Sequence, residues 1–214
     1  MDIREYLPKQ IPYRFVLFYN ISDKDMDVYR TAMGGQPEDN ALLTYAYIDS
    51  MAGLSYYVVC CATVHYGTKR VDYHPSKNCE MSMRLREGAL ECNAILIGEF
   101  EPDMLQFSDI PDMIKEGYGY HKDKVEIRDD VPFDLFRHPS YPQDIYVYFI
   151  SRDEKLERMW VREVKRINDS TVEARLLDEP YNRMLGLHKG DMVTIRTHVD
   201  NEGKRLPVWA DGLI

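Results

Sequence analysis

Cys61, His65, His74 and Cys79 bring thiol and imidazole donors into one stretch, and these are the ligand types that zinc takes. Their spacing works against a shared ion. Positions four apart on an extended strand stand about 13 Å apart at roughly 3.3 Å per residue, whereas zinc ligands lie about 2.0–2.3 Å from the metal. Neither a Cys-x-x-Cys nor a His-x-x-x-His unit is present. The pattern is that of a sheet strand with Cys60, Ala62 and Val64 on one side and Cys61, Thr63 and His65 on the other. No metal and no cofactor is expected.

Other chemistries meet similar obstacles. A reactive thiol at Cys60 or Cys61 would need a cationic setting, but the neighbours Tyr56, Tyr57, Val58 and Val59 are apolar and disfavour the thiolate. Four cysteines (Cys60, Cys61, Cys79 and Cys92) could form a disulfide framework, yet a chain of this size has a core large enough to do without one. Asp23, Asp25 and Asp27 resemble the start of a calcium loop. The sixth position is Val28 and not Gly, and the twelfth is Gly34 and not Glu, so the loop's essentials are missing. Those acids suit the positive end of a helix dipole instead. There is no Gly-x-Ser-x-Gly elbow and no Gly-x-x-x-x-Gly-Lys phosphate loop. A triad assembled in space stays open, with His65 and His121 as the histidines to follow.

The elements that must position these groups begin with an aromatic, β-branched run over residues 13–19, which predicts a buried strand. Ser22 caps a helix carrying Met26, Tyr29 and Met33 at helical spacing, ending at Gly34-Gly35. Residues 41–49 and 55–66 predict two strands split at Met51-Ala52-Gly53, and 92–100 another. One or two short helices broken at Pro111 fit 102–116, and a short strand fits 124–128. Pro132, Pro139 and Pro142 mark a linker or domain edge. Beyond it, strands are predicted at 146–150, 159–167, 171–177, 192–199 and 206–209, with a loop or single helical turn over 180–188.

The expected fold class is therefore α+β: a mixed or antiparallel sheet with a few helices on one face in residues 1–144, then a small antiparallel sheet or partly closed barrel in 145–214. The chain has 214 residues, enough for one large domain or two small ones. The formal net charge is −9, and all of the excess lies in residues 1–150, which argues against a polyanionic partner and so against nucleic acid. A weaker option is RNA on the C-terminal sheet through Lys165, Arg166 and Arg175. No apolar run approaches the roughly 18–20 residues of a membrane span, and the charged start lacks a signal peptide, so a cytoplasmic protein is expected.

Met159-Trp160-Val161-x-x-Val164, then Val172-x-Ala174-x-Leu176-x-Asp178-x-Pro180, then Gly190-Asp191-x-Val193 resembles the C-terminal pattern of the YegJ-like bacterial family, a domain of unknown function. The likeness spans residues 145–212. Where that family's pattern has an acidic-Trp pair after the last strand, Trp209-Ala210-Asp211 reverses the order. The resemblance implies a bacterial, cytosolic accessory domain without a defined activity.

Tyr146, Tyr148, Trp160, Tyr181 and Trp209 concentrate large aromatics in this C-terminal part, and such side chains serve either a small core or a binding surface. The candidate binding residues are Trp160, Tyr181 and Trp209, with Arg183 and His188 as a polar rim. The expected function is that of a non-enzymatic protein that binds another protein, as an immunity protein masks a basic toxin or enzyme. The alternative is a small-molecule hydrolase with a site in the cleft between the two parts, built on His65, Cys61 or His121 plus an acid.

Overall fold

A computed structural model describes residues 8–49, 51–68, 70–76, 82–86, 88–97, 102–118 and 132–212. The chain divides into two compact units, residues 1–120 and 121–214. The strand expected at 124–128 and the residues Cys79 and His121 lie outside the described residues.

The first unit is a six-stranded antiparallel sheet in the order β4-β3-β2-β1-β6, with β5 pairing β3. Its strands are β1 (Phe15–Tyr19), β2 (Ala41–Asp49), β3 (Gly53–His65), β4 (Arg70–Pro75), β5 (Arg84–Arg86) and β6 (Asn93–Leu96). Helix α1 (Asp23–Met33) starts as the sequence predicts: Ser22 Oγ accepts the Asp25 N–H at 3.2 Å, and Gly34 ends it in the left-handed region at φ 67°. Its buried Met26, Tyr29 and Met33 join Val16, Leu42, Tyr56 and Cys61 on one sheet face.

The opposite face holds Phe15, Leu17, Leu43, Tyr45, Cys60 and Ala62. It is covered by Met104 and Phe107, from a 3-10 segment at Pro102–Phe107, and by Ile114 of helix α2 (Ile110–Gly117). Each face thus carries one α-helix. Pro111 opens α2 instead of breaking it, because the first helical turn needs no N–H from that position.

A bulge sets the facing of β3. Leu43 pairs with Cys60 and Thr44 with Val58, so Val59 is the extra residue. The parity of the strand flips there. Leu54, Tyr56 and Val58 face α1 before the bulge, and Cys61 faces it after.

The second unit is a closed five-stranded barrel, β10-β11-β7-β8-β9. Its strands are β7 (Asp144–Ile150), β8 (Leu156–Asn168), β9 (Thr171–Leu176), β10 (Met192–Val199) and β11 (Arg205–Trp209). Neighbours in the chain pair antiparallel. Four reversals leave the fifth strand running with the first, so closure pairs Val208 with Tyr148 in parallel. Ile145, Val147, Phe149, Met159, Val161, Val172, Ala174, Leu176, Val193 and Ile195 fill the interior by strict alternation.

The proline-rich stretch packs onto this unit. Phe133 is fully buried in the barrel core, and Arg137 bridges to Ile145. Arg137 Nη2 donates to the buried Glu163 Oε2 at 2.9 Å, and its Nη1 donates to the Pro142 carbonyl at 2.7 Å.

Candidate functional site

The candidate binding residues separate into three settings on the barrel. Tyr181, Arg183 and His188 belong to the loop between β9 and β10, which crosses one end of the barrel. Leu185 roots it in the core, within a 3-10 turn at Arg183–Leu185. Carboxylates organise the rest. Both oxygens of Glu157 accept backbone N–H groups, from Tyr181 at 2.8 Å and Asn182 at 3.0 Å. The Asn182 side chain caps the turn by accepting the Met184 N–H and donates to Ser151 Oγ at 2.8 Å. Asp178 accepts the Trp160 N–H at 2.8 Å. Glu179 lies 3.0 Å from His188 Nδ1 and accepts the Lys189 N–H at 2.8 Å.

Tyr181 stands at the tip of this clamped loop, 97% exposed, and Met184 beside it is 60% exposed. Arg183 and His188 are exposed in the same loop. The hydrogen bond to Glu179 raises the His188 pKa above its ordinary 6.5, and the nearby negative charge adds to the effect. Glu179 moves the opposite way, lowered first by the Lys189 N–H and then by His188.

Trp160 lies on the outer face of β8, half-buried, with its ring 4.8 Å from Tyr146 and 5.1 Å from His138. Trp209 faces inward. It pairs with Ile195 and packs against the barrel core, 5.8 Å from the Phe149 ring.

The residues with catalytic chemistry are placed differently. Cys60 and Cys61 are both fully buried, on opposite sheet faces. Burial pushes the Cys61 thiol up to about 12, with the Asp39 carboxylate adding to it, and burial raises Cys60 as well. His65 sits exposed at the end of β3, 2.9 Å from Asp72. Among the described residues no group of three or more His, Cys, Asp or Glu could hold a metal ion.

One cluster has no counterpart in the sequence reading. Asp39, in the loop between α1 and β2, is fully buried. Its Oδ1 accepts from Thr63 Oγ1 at 3.0 Å and lies 2.5 Å from His74 Nδ1, while Oδ2 accepts the Gln36 N–H at 2.7 Å. The Arg30 guanidinium donates through Nε to the Asp39 carbonyl at 2.9 Å and through Nη1 to Asp27 at 2.7 Å. The parity flip at Val59 makes the site possible, since it turns Thr63 and Cys61 toward α1 with His74 opposite Cys61 in the register. Gly35 closes the cluster: a Cβ there would meet Asp39 Oδ2 at 2.8 Å and Cys61 Sγ at 3.0 Å.

This is a saturated knot. Oδ1 of the carboxylate ties the α1–β2 loop to Thr63 and His74 of the β3–β4 hairpin, Oδ2 closes the loop on itself at Gln36, and the adjacent thiol is held neutral. In sequence, Gln36-Pro37-Glu38-Asp39-Asn40 reads only as a polar turn.

Comparison with family models, curated proteins and solved structures finds no match for this chain. No helix among the described residues is long and apolar enough to cross a membrane.

Proposed function

We propose that this chain acts by binding, and that its partner is a second protein with a basic face, in the manner of an immunity protein. The observation that carries the reading is Tyr181: nearly all of its side chain faces solvent while its backbone N–H is pinned to Glu157. A large ring on a fixed backbone offers contact area at little further loss of conformational freedom, which is what interface anchors require. Met184 extends the apolar contact, and Arg183 and His188 furnish a polar rim. The net charge of −9 favours encounter with a cationic surface and speeds association at low ionic strength. The resemblance of residues 145–212 to a bacterial accessory domain is in keeping with this role.

The test is paired co-purification from the organism that encodes the chain, with wild type and Tyr181→Ala as baits at low salt. The expected result is a basic protein retained by wild type and lost with the variant, its association rate falling as salt rises. Identical retention by the two baits overturns the reading.

A further inference from the structure

We infer that the outer face of β7, β8 and β9 is a site for single-stranded nucleic acid, separate from the Tyr181 loop and independent of its role. The cross-strand register arranges the face in rows. Tyr148 lies opposite Arg158, Tyr146 opposite Trp160, and Asp144 opposite Arg162, which in turn lies opposite Arg175 on β9. Successive rows are about 6.6 Å apart, two residues along a strand.

The side chains are already in contact. Trp160 and Tyr146 rings sit 4.8 Å apart, and the Arg158 guanidinium lies 5.7 Å from the Tyr146 centroid and 6.0 Å from that of Tyr148. Arg158, Arg162 and Arg175 are exposed, and all three aromatics are half-buried.

Charge decides the occupant. Arg162 is paired through both Nε and Nη2 with Asp144, at 2.7 and 2.9 Å. Arg158 and Arg175 have no carboxylate partner among the described residues. Among the described acids of these strands, Asp144 is taken by Arg162, and Glu173 stands on the same face of β9 as Arg175, opposite Lys165 in the register. Glu163 is buried against Arg137, and Glu157, Asp178, Glu179 and Asp191 are bound to backbone N–H groups of the β9–β10 loop or of Trp160 beside it. At physiological salt, charges beyond roughly 8 Å are screened, so the sign of this face matters more than the total of −9.

Unpaired guanidinium groups interleaved with aromatic rings match a ligand that carries both phosphate charge and flat bases. Single strands have this pairing in accessible form, because in a duplex the bases are stacked inside.

The test uses the full chain and fluorescence anisotropy with labelled oligouridylate and oligodeoxythymidylate of about 12 nucleotides. A duplex of the same length and polyglutamate serve as competitors. Expected is binding to a single strand that weakens with salt and is poorly competed by duplex or polyglutamate. Arg158→Glu and Arg175→Glu, both on the exposed face, each weaken it about tenfold, as does Trp160→Ala. Tyr181→Ala leaves it unchanged. The two labelled strands separate a deoxyribose-tolerant site from one reading the 2′-hydroxyl. No binding, indifference to the arginine reversals, or equal competition by polyglutamate (the mark of an acidic-peptide site) overturns the inference. None of these outcomes bears on retention of a partner by the Tyr181 bait.

Discussion

The carboxylate of Asp39 lies 2.5 Å from His74 Nδ1, joining the loop after α1 to β4 across 35 residues of sequence. Asp39 is fully buried, so its stability depends on the donors around it. Asp39→Ala would leave Thr63, His74 and the Gln36 N–H facing a cavity. The expected loss is about 3–5 kcal/mol, the range for removing one member of a buried charged network. Urea unfolding measures it, and a loss below about 0.5 kcal/mol, the scale of a surface change, would contradict the description of the knot.

Gly35 gives an independent probe of the same packing. Gly35→Ala places a methyl 2.8 Å from Asp39 Oδ2 and 3.0 Å from Cys61 Sγ. The expected cost is about 1–3 kcal/mol from overpacking. Gly67→Ala, where an added Cβ meets nothing within 4 Å, is the control and is expected to be near neutral. Equal effects at the two glycines would show that the close approach at Gly35 is not what costs stability.

The thiols of Cys60 and Cys61 should be inert in the folded protein. Burial raises both, Cys61 to about 12, so neither forms appreciable thiolate at pH 8. Alkylation followed by peptide mass spectrometry is expected to leave these two positions unmodified until denaturant is added. Rapid native labelling at Cys61 would mean that the loop over it opens readily.

The His188–Glu179 contact predicts a pH window for the β9–β10 loop. The His188 pKa is raised, so its contribution is complete below about 6.5 and is lost as pH rises through the folded-state value. Glu179 is lowered, so its contribution is present above its ordinary 4.5 and is lost as pH falls through the folded-state value. The loop is therefore tied most firmly between about pH 4.5 and 6.5. Titration of the His188 ring by NMR should show the raised value, and Glu179→Gln should move it back down. No movement in that variant would remove Glu179 as the cause.

Arg137 and Glu163 make a buried ion pair at 2.9 Å in the barrel unit. Glu163→Ala alone is expected to cost about 3–5 kcal/mol, because it removes the carboxylate at 2.9 Å from a buried guanidinium whose pairing with Asp134 is longer, at 3.7 Å. Replacing both with apolar residues, Arg137→Met with Glu163→Leu, is expected to recover most of that loss. Thermal unfolding of the three proteins checks it, and a double variant as unstable as the single one would show that the pair itself holds the segment.

Much of the architecture is local and was legible in the sequence. The strand predicted over 13–19 and formed at Phe15–Tyr19, the Ser22 cap, the Gly34 stop and the alternation of Val172, Ala174 and Leu176 each follow from a few adjacent residues. That is the range over which hydrophobic period, capping and turn chemistry act. The strands at 70–75 and 84–86 have no counterpart among the predicted elements; they form through pairing with β3 and have little signal of their own.

Tertiary structure decided the rest. The bulge at Val59 turned Thr63 and Cys61 toward α1, which made a buried site of an aspartate that reads as a turn residue. Tyr181 and Trp209 are both aromatics of the barrel unit, yet one is 97% exposed and the other packs on the core, because a loop clamp holds the first and inward register the second. Residue type states what a side chain can do, while burial and partners come from segments tens of residues away, and those were set only when the sheet and the barrel closed.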